Sequence, residues 1–300
     1  MIDKKKKILK NLVCPNCFKE LNLFSDKLIC GHCPKEYPLI DKRPFLLDES
    51  GRGFKESSND ILINKLKIFF KKYPLIFNLF FYVFGASLVG KSPKKAIEGI
   101  GSHKLILNLG SGIRKIREDV INIDFYPFNN VDLIADISHL PFKDNSIEAV
   151  INEFVLEHIK EPEKVIAEIY RVLRPGGLIY LTAPFLVSFH SSPDDYCRWS
   201  KNGLKELMKE FQADEIGIRS GPTASLLSIL NGWLALVLSF GSKTIQQVLL
   251  MFLTILTSPF KVLDYFLSKL PNAENIALGF YYLGRKKVEV TRGQPPRQQA

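Results

Sequence analysis

Short apolar runs separated by polar turns characterise the middle of the chain. Strand-like runs occupy residues 104–109, 119–123, 131–135, 144–151 and 178–182. Near-continuous apolar runs are typical of parallel strands buried on both faces of a sheet. The first run leads into a glycine turn and a predicted helix, and strands and helices continue to alternate after it. This order predicts an α/β fold with a doubly wound, mostly parallel sheet that binds ligands at the carboxyl ends of its strands.

Two further strands, predicted at 213–219 and 276–283, complete a seven-stranded Rossmann-like sheet. Between them lies an insert, 221–275, with apolar runs at 224–240 and 245–260. These runs are short for crossing about 30 Å of hydrocarbon, but helices so apolar are unfavourable in water when uncovered. Three interpretations stay open: a monotopic hairpin in the cytoplasmic leaflet, a dimer interface, or a lid over an apolar substrate.

Another apolar segment lies ahead of the sheet and mixes aromatic with basic residues. A polar linker at 48–60 precedes residues 61–84, which include Lys65, Lys67 and Lys71. These lysines argue against a membrane-spanning helix. The segment is interpreted either as a basic, aromatic helix at a membrane interface or as a helix that covers the predicted sheet.

Composition places these elements in a folded, basic protein. The chain has 300 residues, 46% of them hydrophobic, which excludes a disordered chain and leaves room for one α/β domain and a smaller module. The net charge of +10 favours an anionic partner such as nucleic acid, acidic lipid or a phosphorylated substrate. No apolar segment of a secretory signal precedes Cys14, so we expect a cytoplasmic protein.

Four of the five cysteines form two CxxC pairs near the start of the chain. Cys14 and Cys17 are separated by twelve residues from Cys30 and Cys33. Two such knuckles can direct four thiolates to one tetrahedral Zn²⁺, which would supply the folding energy of so small a module. A redox pair is the rival interpretation, and it is disfavoured because there are two pairs and no thioredoxin-like strand precedes either.

The region around these cysteines, residues 11–48, resembles the short zinc-ribbon proteins that activate RNA and protein methyltransferases, and the same ribbon fused to other methyltransferases. The resemblance covers fewer than forty residues. It implies a structural or docking role for the ribbon and its zinc, not a catalytic one.

Glycine and acidic residues follow three of the predicted strands. Gly110 and Gly112 form a turn in which backbone N–H groups are accessible to a ligand. Asp124 ends the second strand, where a carboxylate can accept both hydroxyls of a ribose. Asp136 and Ile137 follow the third strand, where they could contact an adenine amino group and ring.

Residues 105–184 resemble the class I S-adenosylmethionine-dependent methyltransferases of the ubiquinone/menaquinone-biosynthesis type. The matching elements are LNLGSG, the strand end at Asp124, ADISHLPF, INEFVLEHI and RVLRPGG. The resemblance implies S-adenosylmethionine as cofactor and disfavours a dehydrogenase. It implies these cofactor-binding residues: Asn108, Gly110, Gly112, Asp124, Asp136, Ile137, Asn152 and Glu153. One departure is Arg114, which stands where the family often has a third glycine; its side chain could alter the amino-acid pocket or point outward.

The segment after the fifth strand carries the candidate acceptor site. His190, Asp195, Tyr196 and Arg198 resemble a branch of this family with several members among enzymes of surface-glycan or lipid modification. His190, Asp195, Tyr196 and the nearby His158 could take a proton from a hydroxyl or carboxyl acceptor. A carboxylate acceptor would need no base, and Asp195, Tyr196 and Arg198 could instead form a structural network that fixes the loop.

We therefore expect a methyltransferase that acts on a small-molecule, lipid-linked or glycan acceptor, with peripheral membrane contact through 221–260 and 61–84. The alternatives are an RNA or protein methyltransferase docked by its ribbon, and a non-catalytic scaffold. No aromatic-basic RNA-binding motif supports a nucleic-acid partner, and homo-oligomerisation stays open. The expected division is a ribbon at 10–48, a linker and basic helical segment at 49–100, a core at 101–220, the insert at 221–275, a last strand at 276–284 and a disordered tail at 285–300.

Overall fold

A computed structural model describes residues 4–47, 89–190 and 194–288. In these ranges eleven strands form one sheet in the order β1-β2-β3-β4-β7-β6-β5-β8-β9-β11-β10. The strands are β1 (Leu21–Phe24), β2 (Lys27–Cys30), β3 (Glu36–Ile40), β4 (Arg43–Leu46), β5 (Ile106–Leu109), β6 (Ile121–Asp124), β7 (Leu133–Ala135), β8 (Ile147–Glu153), β9 (Leu173–Pro184), β10 (Phe211–Ser220) and β11 (Gly279–Lys286).

The seven strands from β5 to β11 form the expected Rossmann-like α/β core. β7, β6, β5, β8 and β9 are parallel neighbours, and β11 pairs antiparallel with both β9 and β10. Every residue of β5, β6 and β7 is buried, as a sheet covered on both faces requires. Because successive residues point to opposite faces, Ile106 joins one apolar cluster and Leu107 joins the other.

The helices are α1 (Lys4–Asn11), α2 (Pro93–Ala96), α3 (Pro162–Val172), α4 (Lys201–Leu207), α5 (Pro222–Leu238), α6 (Lys243–Thr257) and α7 (Asp264–Leu267). The 3₁₀ helices are Leu156–His158, Ser258–Leu263 and Ala273–Ile276. The helix expected after the glycine turn is absent: residues 110–120, all of them described, connect β5 to β6 by turns alone. The connections 125–132 and 136–146 also lack a helix. Strict strand–helix alternation was therefore wrong between β5 and β8, where connections this short leave no room for a helical crossover.

The ribbon is continuous with the core sheet. β4 pairs in parallel with β7, where Phe45 is opposite Ile134 and Leu46 is opposite Ala135. Outside the sheet, the Val13 N–H donates to the Pro141 carbonyl at 3.0 Å. The expected boundary at 48 therefore does not separate two independent sheets.

The insert between β10 and β11 folds as the apolar helices α5 and α6, followed by shorter helical turns. The last strand, expected at 276–284, begins at Gly279 and extends to Lys286. Residues 285–286, expected in the tail, therefore belong to the sheet, and Ala273–Ile276 is a 3₁₀ turn. In the described residues, one helical stretch, Lys243–Leu267, is long and apolar enough to cross a membrane by length and composition. The predicted helix at 61–84 and the tail beyond 288 lie outside the described residues.

Candidate active site

Four cysteine sulfurs converge in the ribbon. The Sγ–Sγ distances are 3.7 Å for Cys14–Cys33, 3.5 Å for Cys17–Cys30 and 3.6 Å for Cys17–Cys33. A tetrahedral zinc site with Zn–S bonds of about 2.3 Å needs sulfurs about 3.8 Å apart, so the four thiols fit that ion. Burial raises the pKa of the Cys30 thiol, but the N–H groups of His32 and Cys33 donate to its sulfur and lower that pKa overall.

The glycine turn after β5 has two residues in left-handed backbone conformations. Gly110 has φ +64° and Gly112 has φ +53°, values that other residues adopt only with strain. A Cβ at Gly110 would lie 2.5 Å from a Val155 methyl, whereas a Cβ at Gly112 would meet nothing within 4 Å. Gly110 is therefore required by packing, and Gly112 leaves open space beside the backbone.

Carboxylates lie at the ends of the neighbouring strands β6 and β7. The Asp124 carboxylate, 7% exposed, accepts from the Gly112 N–H at 2.7 Å and the Tyr126 N–H at 2.9 Å. Asp136 accepts from the Ser138 N–H at 2.8 Å, and its side chain is 45% exposed. The turn, Asp124 and Asp136 thus share the carboxyl edge of the sheet, where ligands of this fold bind.

Two buried asparagines link strands of the core. Asn108 donates to the Asn122 amide oxygen at 3.1 Å, so its side chain connects β5 to β6. Asn152 donates weakly to the Leu109 carbonyl at 3.4 Å. Its own amide oxygen is buried and has no hydrogen-bond partner among the described residues, which leaves an acceptor available at the end of β8.

Glu153, beside Asn152, pairs with two arginines. The Arg219 Nη2 donates to one of its oxygens at 3.1 Å, and the Arg114 Nη1 lies 3.5 Å from the other. Arg114, the residue in the third glycine position, therefore reaches toward the site. Sequence reasoning missed Arg219, whose side chain is only 4% exposed, because no local pattern signals that burial.

A bidentate ion pair holds the segment after β9. The Asp195 carboxylate accepts from Arg198 and, at 2.9 Å, from the His190 backbone N–H. Burial alone would raise the pKa of Asp195, but these donors and the positive charge of Arg198 hold it at about 2. A carboxylate this acidic is a poor proton acceptor, so the geometry favours a positioning role for Asp195. The Tyr196 hydroxyl is exposed and contacts the Asp194 carboxylate at 3.4 Å.

Glu157 is a buried acidic residue that sequence reasoning did not single out. It lies in the 3₁₀ turn after β8, and neither carboxylate oxygen has a hydrogen-bond partner in the described residues. Burial raises the pKa of Glu157 to about 8, and partial burial lowers the pKa of His190. Glu157, His158 and His190 place one ligand atom each within 4.8 Å of one another. The letters LEH carried no signal of this burial.

Comparison with known families finds a match to methyltransferases in this part of the chain. Residues 114–181 match the family model described as a methyltransferase domain. An arsenite methyltransferase from Halobacterium salinarum is 38% identical over 88 residues, which are 27% of this chain and 22% of that protein. A demethylmenaquinone methyltransferase from Renibacterium salmoninarum is 49% identical over 49 residues, which are 16% of this chain and 21% of that protein. The chain thus spans about a fifth of the length of these relatives.

Solved structures include more distant neighbours. One is a chain in the complex between the Haloferax volcanii Trm112 methyltransferase activator and a methyltransferase. It is 14% identical, with a TM-score of 0.44, and the match covers 73% of this chain and 96% of that one.

Proposed function

We propose that this chain is an S-adenosylmethionine-dependent methyltransferase. The observation that carries the proposal is the methyltransferase-domain match over residues 114–181, the region whose sheet edge presents Asp124 and Asp136. The left-handed glycines immediately before this region add a turn with open space beside Gly112. A scaffold without a ligand would not need these features together.

The residues at the sheet edge fit each part of the cofactor. Asp124 would accept from the ribose hydroxyls, and Asp136 and Ile137 would contact the adenine. The open space at Gly112 would take the methionine moiety, and the unpartnered Asn152 oxygen would accept from its ammonium group. The bound cofactor supplies an electrophilic methyl group, and the chain's task is to hold the acceptor in line with it.

Calorimetric titration with S-adenosylmethionine tests the cofactor site. We expect micromolar binding by the wild type and loss of binding in Asp124→Ala and Asp136→Ala. Asp214→Ala is a matched control. Asp214 lies near the amino end of β10, away from the proposed cofactor site, and pairs with Arg285. Absence of binding by folded wild-type protein would refute the proposal and favour the scaffold.

The insert supports a membrane-proximal acceptor, either a lipid-linked compound or a glycan precursor. Trp233 on α5 is 58% exposed, Phe240 just beyond the end of α5 is 92% exposed, and Phe252 on α6 is 58% exposed. Large apolar patches of this kind mark interaction surfaces. The helical stretch Lys243–Leu267 is long enough to cross a membrane, but α5 has 17 residues and is therefore about 26 Å long, shorter than the roughly 30 Å hydrocarbon core. We therefore favour a hairpin that lies in the cytoplasmic membrane surface, and Lys243 and Lys261 beside it would contact anionic headgroups.

Flotation with phosphatidylglycerol vesicles tests this surface. The wild type should float with the vesicles, and a Trp233→Ser/Phe240→Ser/Phe252→Ser variant should not. Phe24→Ser, which changes a 67% exposed phenylalanine of the ribbon, should float like the wild type. If the wild type does not float with the vesicles but forms a dimer, and the triple variant does not form that dimer, the insert is a subunit interface instead.

We assign the ribbon a structural role within this function. Its β4 edge is already paired with β7, so that edge is not available to dock an RNA or protein target. This pairing attaches the ribbon to the proposed catalytic sheet, which supports the structural role.

A further inference from the structure

Three side chains with metal-binding chemistry meet beside the cofactor residues. Glu157 and His158 follow β8, and His190 follows its neighbour β9. One ligand atom from each lies within 4.8 Å of the others, and the two imidazole rings meet edge to face with centroids 5.4 Å apart. The topology thus brings a carboxylate and two imidazoles together at the carboxyl edge of the sheet.

The carboxylate is the informative member of this cluster. Glu157 is fully buried, and both of its oxygens lack a hydrogen-bond partner in the part of the chain that the structure describes. Burying an unpartnered acidic group is costly. A cation held between Glu157 and the two histidines would satisfy these oxygens.

Each histidine has a backbone carbonyl oxygen beside its Nδ1 atom. His158 Nδ1 contacts the Asp194 carbonyl oxygen, and His190 Nδ1 lies 3.3 Å from the Ser188 carbonyl oxygen. A ring that donates Nδ1–H to a carbonyl keeps its lone pair on Nε2, and this outer hydrogen bond fixes the tautomer of metal-bound histidines.

We propose that Glu157, His158 and His190 bind a divalent first-row transition-metal cation of the zinc type. Two imidazoles and one carboxylate form a ligand set of open metal sites. Ligand atoms of such a site are about 3.4 Å apart at metal–ligand distances near 2.1 Å, so rotations of these side chains would close the cluster. The three protein ligands leave a position free for an oxygen or nitrogen atom of the methyl acceptor, a role that rests on the proposed function.

Cobalt substitution distinguishes this site from the ribbon. Thiolate-bound Co²⁺ shows intense sulfur-to-metal charge transfer, and Co²⁺ bound by nitrogen and oxygen does not. We expect the full-length, metal-stripped protein to bind two equivalents of Co²⁺, one with this absorption and one without it. Glu157→Gln, His158→Ala and His190→Ala should each lose the second equivalent and keep the first.

His103→Ala is the matched control, because His103 is an exposed histidine outside the cluster, and it should keep both equivalents. Because the His190 side chain is half-exposed, His190→Ala is expected to fold even if Glu157→Gln does not. Circular dichroism would verify the folding of both variants. A wild type with only the thiolate equivalent, or a His190→Ala variant that retains both, would overturn the proposal. The readout needs no S-adenosylmethionine, so failure of the metal site and failure of cofactor binding are separately visible.

Discussion

Arg114 occupies a position where a glycine would leave the amino-acid end of the proposed cofactor site open. Its guanidinium lies 3.5 Å from Glu153 and is 41% exposed, so it can also meet the carboxylate of a bound methionine moiety. Since a charge-assisted hydrogen bond is worth about 1.5–3 kcal/mol, Arg114→Ala should weaken S-adenosylmethionine binding about tenfold or more. Calorimetry with methylthioadenosine, which lacks the amino-acid moiety, should show unchanged affinity, and an equal loss for both ligands would contradict this role.

Arg219 makes a buried pair with Glu153, and its removal would leave the carboxylate with the more distant Arg114 alone. Removing one partner of a buried pair costs about 3 kcal/mol, so Arg219→Met should lower the free energy of unfolding by about that amount in urea titrations. The control is Arg285→Met, which breaks an exposed pair with Asp214 of similar length, 3.0 Å. That change should cost less than about 1 kcal/mol; equal effects would show that burial is not what makes the Arg219 pair important.

Which residues can be predicted from sequence depends on whether their signal is local. The cysteine spacing and the two glycines are fixed by local geometry, and the structure brings the cysteine sulfurs together and gives the glycines positive φ. Glu157 and Arg219 could not be singled out, since their importance comes from burial by segments distant in the chain. Asp195 was identified, but the ion pair that makes it acidic favours positioning over proton transfer.

At the scale of elements, the apolar pattern predicted strands more reliably than connections. The central runs became buried strands because continuous apolar segments suit a covered sheet. The helix expected after Gly112 did not form, since the chain is tied across the turn by the Ser111 N–H to the Ile123 carbonyl and by Gly112 to Asp124. The pattern of apolar residues does not predict such hydrogen bonds.

The two ends of the insert are joined at the start of α5. The buried Asp264 carboxylate accepts from the Thr223 and Ala224 N–H groups, at 2.7 and 3.0 Å, in the first turn of that helix. It thereby caps the helix from a distant segment, and caps contribute about 1 kcal/mol or more. Asp264→Ala should therefore lower the free energy of unfolding by about 1–2 kcal/mol and speed amide exchange in 222–238.

Ser242→Ala is the comparison for that prediction, because Ser242 caps α6 within the insert through a longer hydrogen bond of 3.4 Å. It should leave exchange in 222–238 unchanged. Equal exchange rates in the wild type and Asp264→Ala would mean that apolar packing alone holds the two ends of the insert together.

At the scale of the whole molecule, the expected fold class was right, and the structure adds that the ribbon shares its sheet with the core. Spacing within the ribbon predicts its metal site but contains no information on which strand edge it pairs with. That edge is set by the β4–β7 register and by a shared apolar core. Leu12 and Tyr37 from the ribbon region pack in the same cluster as Leu133 and Phe142.

This shared core predicts what removal of zinc from the proposed ribbon site would do. Without metal the four thiolates lose the ion that would hold them together. Unfolding of the ribbon would then expose the edge of β7 and the apolar residues that Leu12 and Tyr37 cover. We therefore expect a strong zinc chelator to lower the melting temperature of the whole protein in a single calorimetric transition, and Cys17→Ser to do the same without chelator. A chelated protein with two transitions, in which the core melts at the wild-type temperature, would instead mean that the ribbon adds strands to the sheet without stabilising it.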